Sequence, residues 1–179
     1  MNRPVRAQRI FHVIQGTHHV ASGPDDVLTT VLGSCVSICL HDRGAGVGGM
    51  NHFLLPGDPK TNRGEARYGI NAMELLINGV LKAGARASAL EAKVFGGANA
   101  TGSRIPVGAL NAEFAFWFLG NEGIPCVARD VGGVNARKLR YLPHTGQVQV
   151  MLLPEPARAV QQIAAPTPVD VSGEPDLFV

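Results

Sequence analysis

Apolar and polar positions along this chain repeat mostly with a period of two. In "CVSICLH", Cys35, Ser37 and Cys39 fall on one face of a strand, and Val36, Ile38 and Leu40 on the other. Strands are predicted likewise for "VLTTVLG" before the Gly33-Ser34 break, for "MNHFLLP" up to Pro56, and for "ALEAKVFGG". Three more follow in "IPCVARDVGG", "ARKLRYLP" and "GQVQVMLLP", the last two joined by a turn at His144-Thr145-Gly146. Residues 1–13 read as a lead-in that joins a sheet edge. The period changes twice. Ile70, Met73, Leu76, Ile77, Val80 and Leu81 recur at helical spacing, which predicts a helix of about four turns from Tyr68, stopped near Gly84. A second helix is expected in "VGALNAEFAFWFLGNEG", packed through Leu110, Phe114, Phe116, Trp117 and Leu119. Two stretches read as loops: Thr17 to Asp26, with its Gly-Pro and paired acids, and the polar, Gly- and Pro-broken Gly57 to Arg67. Strands dominate and two helices lie between them, so the pattern predicts an α/β or α+β layered sandwich.

Composition narrows this picture without changing it. A chain of 179 residues, 45% hydrophobic and 17% charged, suffices for one ordinary domain with a real core. Twenty-two glycines fit a fold of strands and tight turns. After Leu153 five of the twelve prolines fall within 26 residues and periodicity fades. The expected division is therefore a folded domain over 1–153 and a Pro/Ala-rich disordered tail over 154–179, with a short helix around Ala157 to Ala164. A net charge of +2 with scattered arginines gives no footprint for nucleic acid. No stretch approaches the roughly 18 apolar residues of a membrane span, and the basic N-terminus lacks the apolar core of a secretory signal. Three cysteines are too few and too odd for a disulfide framework. The expectation is a cytoplasmic chain with reduced thiols and no membrane insertion.

The candidate chemistry begins at "TTVLGSCVSICLHD", Thr29 to Asp42. Cys35 directly after a Gly-Ser turn reads three ways: a small buried hydrophobe, a metal ligand, or a nucleophile. A nucleophile needs its thiolate, which a nearby imidazole or exposed backbone N–H groups favour. Gly33 and Ser34 allow a tight approach that directs N–H groups at a substrate oxygen. His52 lies on the next predicted strand, and two adjacent antiparallel strands bring Cys35 and His52 side by side. As a zinc set, Cys35, Cys39, His41 and His52 lack a usual knuckle spacing. "GSC" lacks the G-x-S-x-G pattern that would make Ser34 the nucleophile. His18 and His19 read as solvated, and His12, His41 and His144 have no evident partner. "FGGAN" and "VGGVN" fit no phosphate-cradle spacing and read as turns at sheet ends. Cys35 and Cys39, on one strand face, are too far apart along extended chain to form a disulfide readily.

"TTVLGSCVSICLHD" followed by "GVGGMNHFLLP" resembles the signature of the CheD family, the chemoreceptor glutamine deamidases of bacterial and archaeal chemotaxis. The resemblance continues through "RYGINAMELLINGVLKAGA", "LEAKVFGGAN", "IPVGALNAEFAFWFLGNEGIP" and "DVGGVNARKLRYLPHTGQV", covering about residues 9 to 153 in order. It implies a layered sandwich of mainly antiparallel β-sheet with two principal flanking helices, related to the catalytic domain of cytotoxic necrotizing factor toxins. It also implies a catalytic set of Cys, His and Thr. The Cys of "GSC" falls on Cys35 and the His before "LP" on His52. The Thr, six residues before the Cys, falls on Thr29, with Thr30 adjacent and the register between them open.

The activity implied is hydrolysis of glutamine side chains on methyl-accepting chemotaxis receptors to glutamate, through a thioester on Cys35. His52 would act as base and acid, Thr29 would hold the imidazole, and N–H groups near Gly33 and Ser34 would hold the oxyanion. No metal and no cofactor is implied. The receptors are the expected substrate partners. CheC, a phosphatase of the response regulator CheY, is a further one. Lys60, Arg63 and Arg67 in the loop after His52 are expected to border the site. The chain departs from the family at Leu110, where an Arg is usual. A thiol-dependent receptor methylesterase, or a non-catalytic adaptor binding CheC or receptors, remain the alternatives.

Overall fold

The computed structural model describes residues 7–55, 57–58, 60–99 and 105–154. Among the described residues nine strands and two long helices follow one another: β1 (Arg9–His12), β2 (Thr17–Ala21), β3 (Asp26–Leu32), β4 (Val36–Asp42), β5 (Val47–His52), α1 (Arg63–Lys82), β6 (Leu90–Gly96), α2 (Val107–Asn121), β7 (Cys126–Val131), β8 (Arg137–Leu142) and β9 (Gln147–Leu152). They form a four-stranded sheet in the order β1-β3-β8-β9 and a five-stranded sheet in the order β2-β5-β4-β6-β7. Only β1–β3 and β6–β7 pair in parallel among the described residues, so the sheets are mainly antiparallel, as expected.

The alternation in β4 explains the layering. Val36, Ile38 and Leu40 join Phe53, Val94, Met73, Leu76 and Phe114 in a core between the five-stranded sheet and the helices. On the opposite face Cys39 joins Met50, Phe95, Leu28, Leu139 and Tyr141 in a second core between the two sheets. β4 is buried along its whole length because both of its faces are covered. The result is three layers, sheet on sheet on helices.

Two expected loops are corrected. Thr17–Ala21 is an edge strand, paired antiparallel with β5 from Thr17 opposite His52 to Ala21 opposite Gly48. Its half-buried residues and its two histidines hide the alternation that a fully covered strand would display. Gly57 to Arg67 is not all loop, since α1 begins at Arg63. Asn62 caps it, its Oδ1 accepting from the N–H of Gly64 at 2.9 Å and of Glu65 at 3.4 Å, with the Glu65 carboxylate favourably placed in the first turn. Gly and Pro dominated the reading there and concealed the cap. The tail from 155 onward, including the helix expected at Ala157 to Ala164, lies outside the described residues.

Candidate active site

β3 belongs to one sheet and β4 to the other, so the Gly33–Cys35 link crosses between them at one end of the sandwich. Val36 and Phe53 exchange both backbone hydrogen bonds at 3.0 Å, and both side chains point into the helix-side core. Their neighbours Cys35 and His52 must therefore point the other way, into the gap between the sheets, diagonal to each other across the β4–β5 pair. Cys35, half-buried, packs against the inter-sheet core. The two residues thus share the inter-sheet face of neighbouring strands.

His52 reaches across to the other sheet. Its Nδ1 lies 2.9 Å from Thr30 Oγ1 and 3.3 Å from Val13 O. The Thr30 hydroxyl donates to Val13 O at 2.7 Å, so its proton is spent and its oxygen accepts from Nδ1–H. That fixes the tautomer: Nε2 is the unprotonated nitrogen. It is buried and has no hydrogen-bond partner among the described residues. Thr29, the expected third member, is not there. Its hydroxyl donates to Leu139 O at 2.7 Å, and its side chain faces the outer side of the four-stranded sheet with His12 and Arg140. Adjacent strand residues face opposite sides, so only one of Thr29 and Thr30 can meet His52, and it is Thr30.

Burial pushes the Cys35 thiol up to about 11, its own backbone N–H pulling the other way. Burial also lowers His52, against the Val13 carbonyl that raises it. The resting pair at neutral pH is thus a thiol and a neutral imidazole, not a thiolate and an imidazolium. The thiol donates to Gln15 Oε1 at 3.4 Å.

The Gly33–Cys35 link rests on the two glycine motifs. Ala98 N–H donates to Gly33 O at 2.9 Å and Gly97 N–H to Cys35 O at 2.8 Å. Because the peptide is planar and trans, holding Gly33 O leaves the Ser34 N–H directed away from that loop. A Cβ on Gly96, at φ +108°, would stand 2.2 Å from Cys35 O, so the close approach requires glycine. The "FGGAN" and "VGGVN" stretches are turns, as read, and they interlock: Gly132 N–H donates to Gly96 O and Asn99 N–H to Gly133 O, each at 2.9 Å. Arg137, buried, donates to the carbonyls of Gly96 (3.0 Å), Asp130 and Gly132, tying both turns together beneath Cys35.

After His52 the chain is held by Asn111 of α2. The Leu55 N–H donates to Asn111 Oδ1 at 2.7 Å, and Asn111 Nδ2 donates to Leu55 O at 3.0 Å and to Val107 O at 2.7 Å. Leu110, beside it, is half-buried. Between β4 and β5, Asn51 accepts from Ile38 N–H through Oδ1 at 2.9 Å and from the Ser37 hydroxyl through its carbonyl at 2.6 Å, a local replacement of the regular ladder next to His52. Of the expected basic border, Lys60 is engaged with Glu113 of α2 at 2.6 Å, while Arg63 and Arg67 lie on the first turns of α1. Gln15, Asn111 and Arg137 were not singled out in the sequence. A polar residue just before a turn glycine, an Asn within an apolar helix and an Arg opening a strand were the available signals. Among the described residues no group of three His, Cys, Asp or Glu side chains converges as a metal site.

Fold and site together define a layered α/β sandwich with Cys35 and a tautomer-fixed His52 on the inter-sheet face of neighbouring strands, where the two sheets part. A family model described as CheD chemotactic sensory transduction matches residues 54–152. A relative from Caulobacter vibrioides is 49% identical over 98% of this chain and 96% of its own length, and one from Agrobacterium fabrum is 54% identical over 80% of each. A third, from Rhizobium etli, is 51% identical over 94% of this chain and 96% of its own. All three bear the name "Probable chemoreceptor glutamine deamidase CheD". A Neisseria meningitidis crystal structure of the DUF152 family, 9% identical, covers 70% of this chain and 64% of that one at a TM-score of 0.46, too slight a likeness to argue from. The chain belongs to the CheD family.

Proposed function

We propose that the chain is a cysteine-dependent protein-glutamine deamidase acting on chemoreceptors, as the names of its relatives suggest. The observation that carries this reading is the His52 imidazole with Nδ1–H on Thr30 and a bare Nε2 on the Cys35 face. A base so fixed takes the thiol proton as sulfur attacks the carbonyl carbon of a glutamine side chain. Because the resting thiol is protonated, proton transfer accompanies attack rather than preceding it. The oxyanion is held by N–H groups of the Gly33–Cys35 link, Ser34 foremost; one such donor is typically worth about 2.7–4 kcal/mol. His52 then gives its proton to the departing ammonia, leaving a thioester. Water, deprotonated by the same Nε2, cleaves the thioester and restores the thiol, so one glutamine and one water become one glutamate and one ammonia. Thr30 takes the orienting role that the family pattern assigns by spacing to Thr29. Arg137 and Asn111 hold the two sides of the site in place.

The target on a receptor is a side chain on a long helical surface, within reach of a cytoplasmic protein. A site at the open end of a sandwich suits such a target better than a deep pocket would. CheC fits as a further partner of the same family context. The test is intact mass of a receptor cytoplasmic fragment incubated with wild type, Cys35→Ala and His52→Ala. A gain of about one mass unit per glutamine with wild type alone supports the reading. No gain with any form, on folded protein and a cognate receptor, rejects it in favour of an adaptor role. Loss of receptor methyl esters in place of a glutamine gain would identify a methylesterase.

A further inference from the structure

Ile14, Gln15, Gly16 and Thr17 form a tight turn between β1 and β2. Thr17 N–H donates to Ile14 O at 3.1 Å, and Gly16, third in the turn, has φ +83°, the arrangement of a type II turn. Two further bonds fix it: the Thr17 hydroxyl donates to Ile14 O at 2.8 Å, and Gly16 N–H donates to His52 O at 2.7 Å. The backbone beside Gln15 is thus tied to His52, while its side chain accepts the Cys35 S–H at 3.4 Å. Gln15 itself is exposed, so the side chain can swing out while the turn that carries it stays put.

Gln15 ends in a primary carboxamide, the group that the proposed reaction attacks. Its oxygen meets the proton of the thiol, whereas attack needs the carbonyl carbon at sulfur and the oxygen on backbone N–H donors. Accepting through Oε1, the carboxamide holds only a protonated sulfur, so in this orientation it also opposes formation of the nucleophile. We infer that Gln15 is an intramolecular occupant of the carboxamide subsite, covering Cys35 until a substrate glutamine displaces it. The identity of that substrate rests on the deamidase reading; the cover over the thiol does not. The occupant also sets selectivity, since only a side chain long and mobile enough to take its place reaches the sulfur.

Carbamidomethylation of Cys35 by iodoacetamide tests this on the free full-length protein, read on the Cys35 peptide, with exposed Cys126 as an internal reference. Gln15→Ala is expected to react roughly two- to tenfold faster at neutral pH, the span of one ordinary hydrogen bond. Gln15→Asn, one methylene shorter, should follow Ala, and Gln15→Glu should react more slowly than wild type because its carboxylate opposes the thiolate. With a receptor fragment, Gln15→Ala should lower KM by a similar factor and leave kcat alone. Unchanged alkylation in Gln15→Ala overturns the inference whether or not any receptor is deamidated. A fall in kcat at constant KM also overturns it, by making Gln15 part of the chemistry. So does a mass gain of about one unit on the Gln15 peptide that Cys35→Ala lacks, which would make Gln15 a substrate. Faster alkylation with no receptor deamidation by any form keeps the cover and rejects the deamidase reading instead.

Discussion

At the scale of single residues the site turns on which of two adjacent threonines meets the histidine. Both are buried and both hydroxyls are bonded, but only Thr30 joins Val13 O to His52 Nδ1. Thr30→Val should therefore lower kcat by about tenfold or more, the least expected when a buried hydrogen bond that orients the base is lost. Thr29→Val should leave kcat close to wild type while costing about 1 kcal/mol of stability. Receptor deamidation rates for the two variants, beside their denaturation midpoints, check both. The protonation states give a second prediction. With the thiol at about 11 and His52 lowered, no ion pair forms at neutral pH. Alkylation of Cys35 should rise about tenfold per pH unit from neutral to well above pH 9, with no plateau at the acid side. A plateau from low pH, the mark of a preformed thiolate–imidazolium pair, would contradict the neutral resting state. In the sequence, strand alternation and a Gly-rich turn between two strands allowed Cys35 and His52 to be neighbours, and the resemblance to the CheD family singled them out. The threonine was not legible, because spacing along a chain does not say which of two neighbours faces inward.

At the scale of elements the site depends on parts brought in from far along the chain. α2 contributes Asn111, which satisfies both the N–H and the carbonyl of Leu55 just beyond His52. Asn111→Ala leaves two buried backbone groups without partners, at about 1–3 kcal/mol each. The expected outcome is a loss of about 2–6 kcal/mol in urea unfolding together with slower catalysis, because the strand carrying His52 loses its anchor. The apolar periodicity of α2 was plain in the sequence and located the helix. It said nothing of an Asn turned inward, since a buried amide is identified only by the backbone it serves. The same holds for Arg137 and the glycine motifs: the turns were legible, and their stacking under Cys35 required the sheet order. Where the sequence expectation failed, the local chemistry was polar: at β2 the structure-giving partner lies elsewhere, in β5, and at the start of α1 it is the adjacent Asn62 cap among Gly and Pro.

For the whole molecule, the two-core layering decides how the fold responds to acid. His52 sits between the sheets near the Cys35 end, and His41 is buried on β4, near its other end. Burial lowers both from 6.5; for His41, Lys93 also lowers it while the His144 carbonyl, Glu91 and Asp42 oppose the shift. A lowered folded-state value means that the unfolded chain takes up the proton first. The stabilisation is therefore complete above pH 6.5 and is lost as pH falls below it. Asp42 behaves differently. It is held low by the N–H groups of Arg86, Ala45 and Gly44, so its contribution is present above 3.8 and is lost only in stronger acid. The melting temperature should then be flat from pH 6.5 to about 9, above which the raised Cys35 thiol begins to cost stability, decline by a few degrees below 6.5, and fall again below 3.8. Replacing His41 and His52 together by Gln should remove most of the first decline and leave the second untouched. Thermal melts of wild type and the double variant across this range separate the two phases. If the first decline survives in full in the double variant, His41 and His52 are not its source and the burial argument for His52 as a neutral base loses its thermodynamic support.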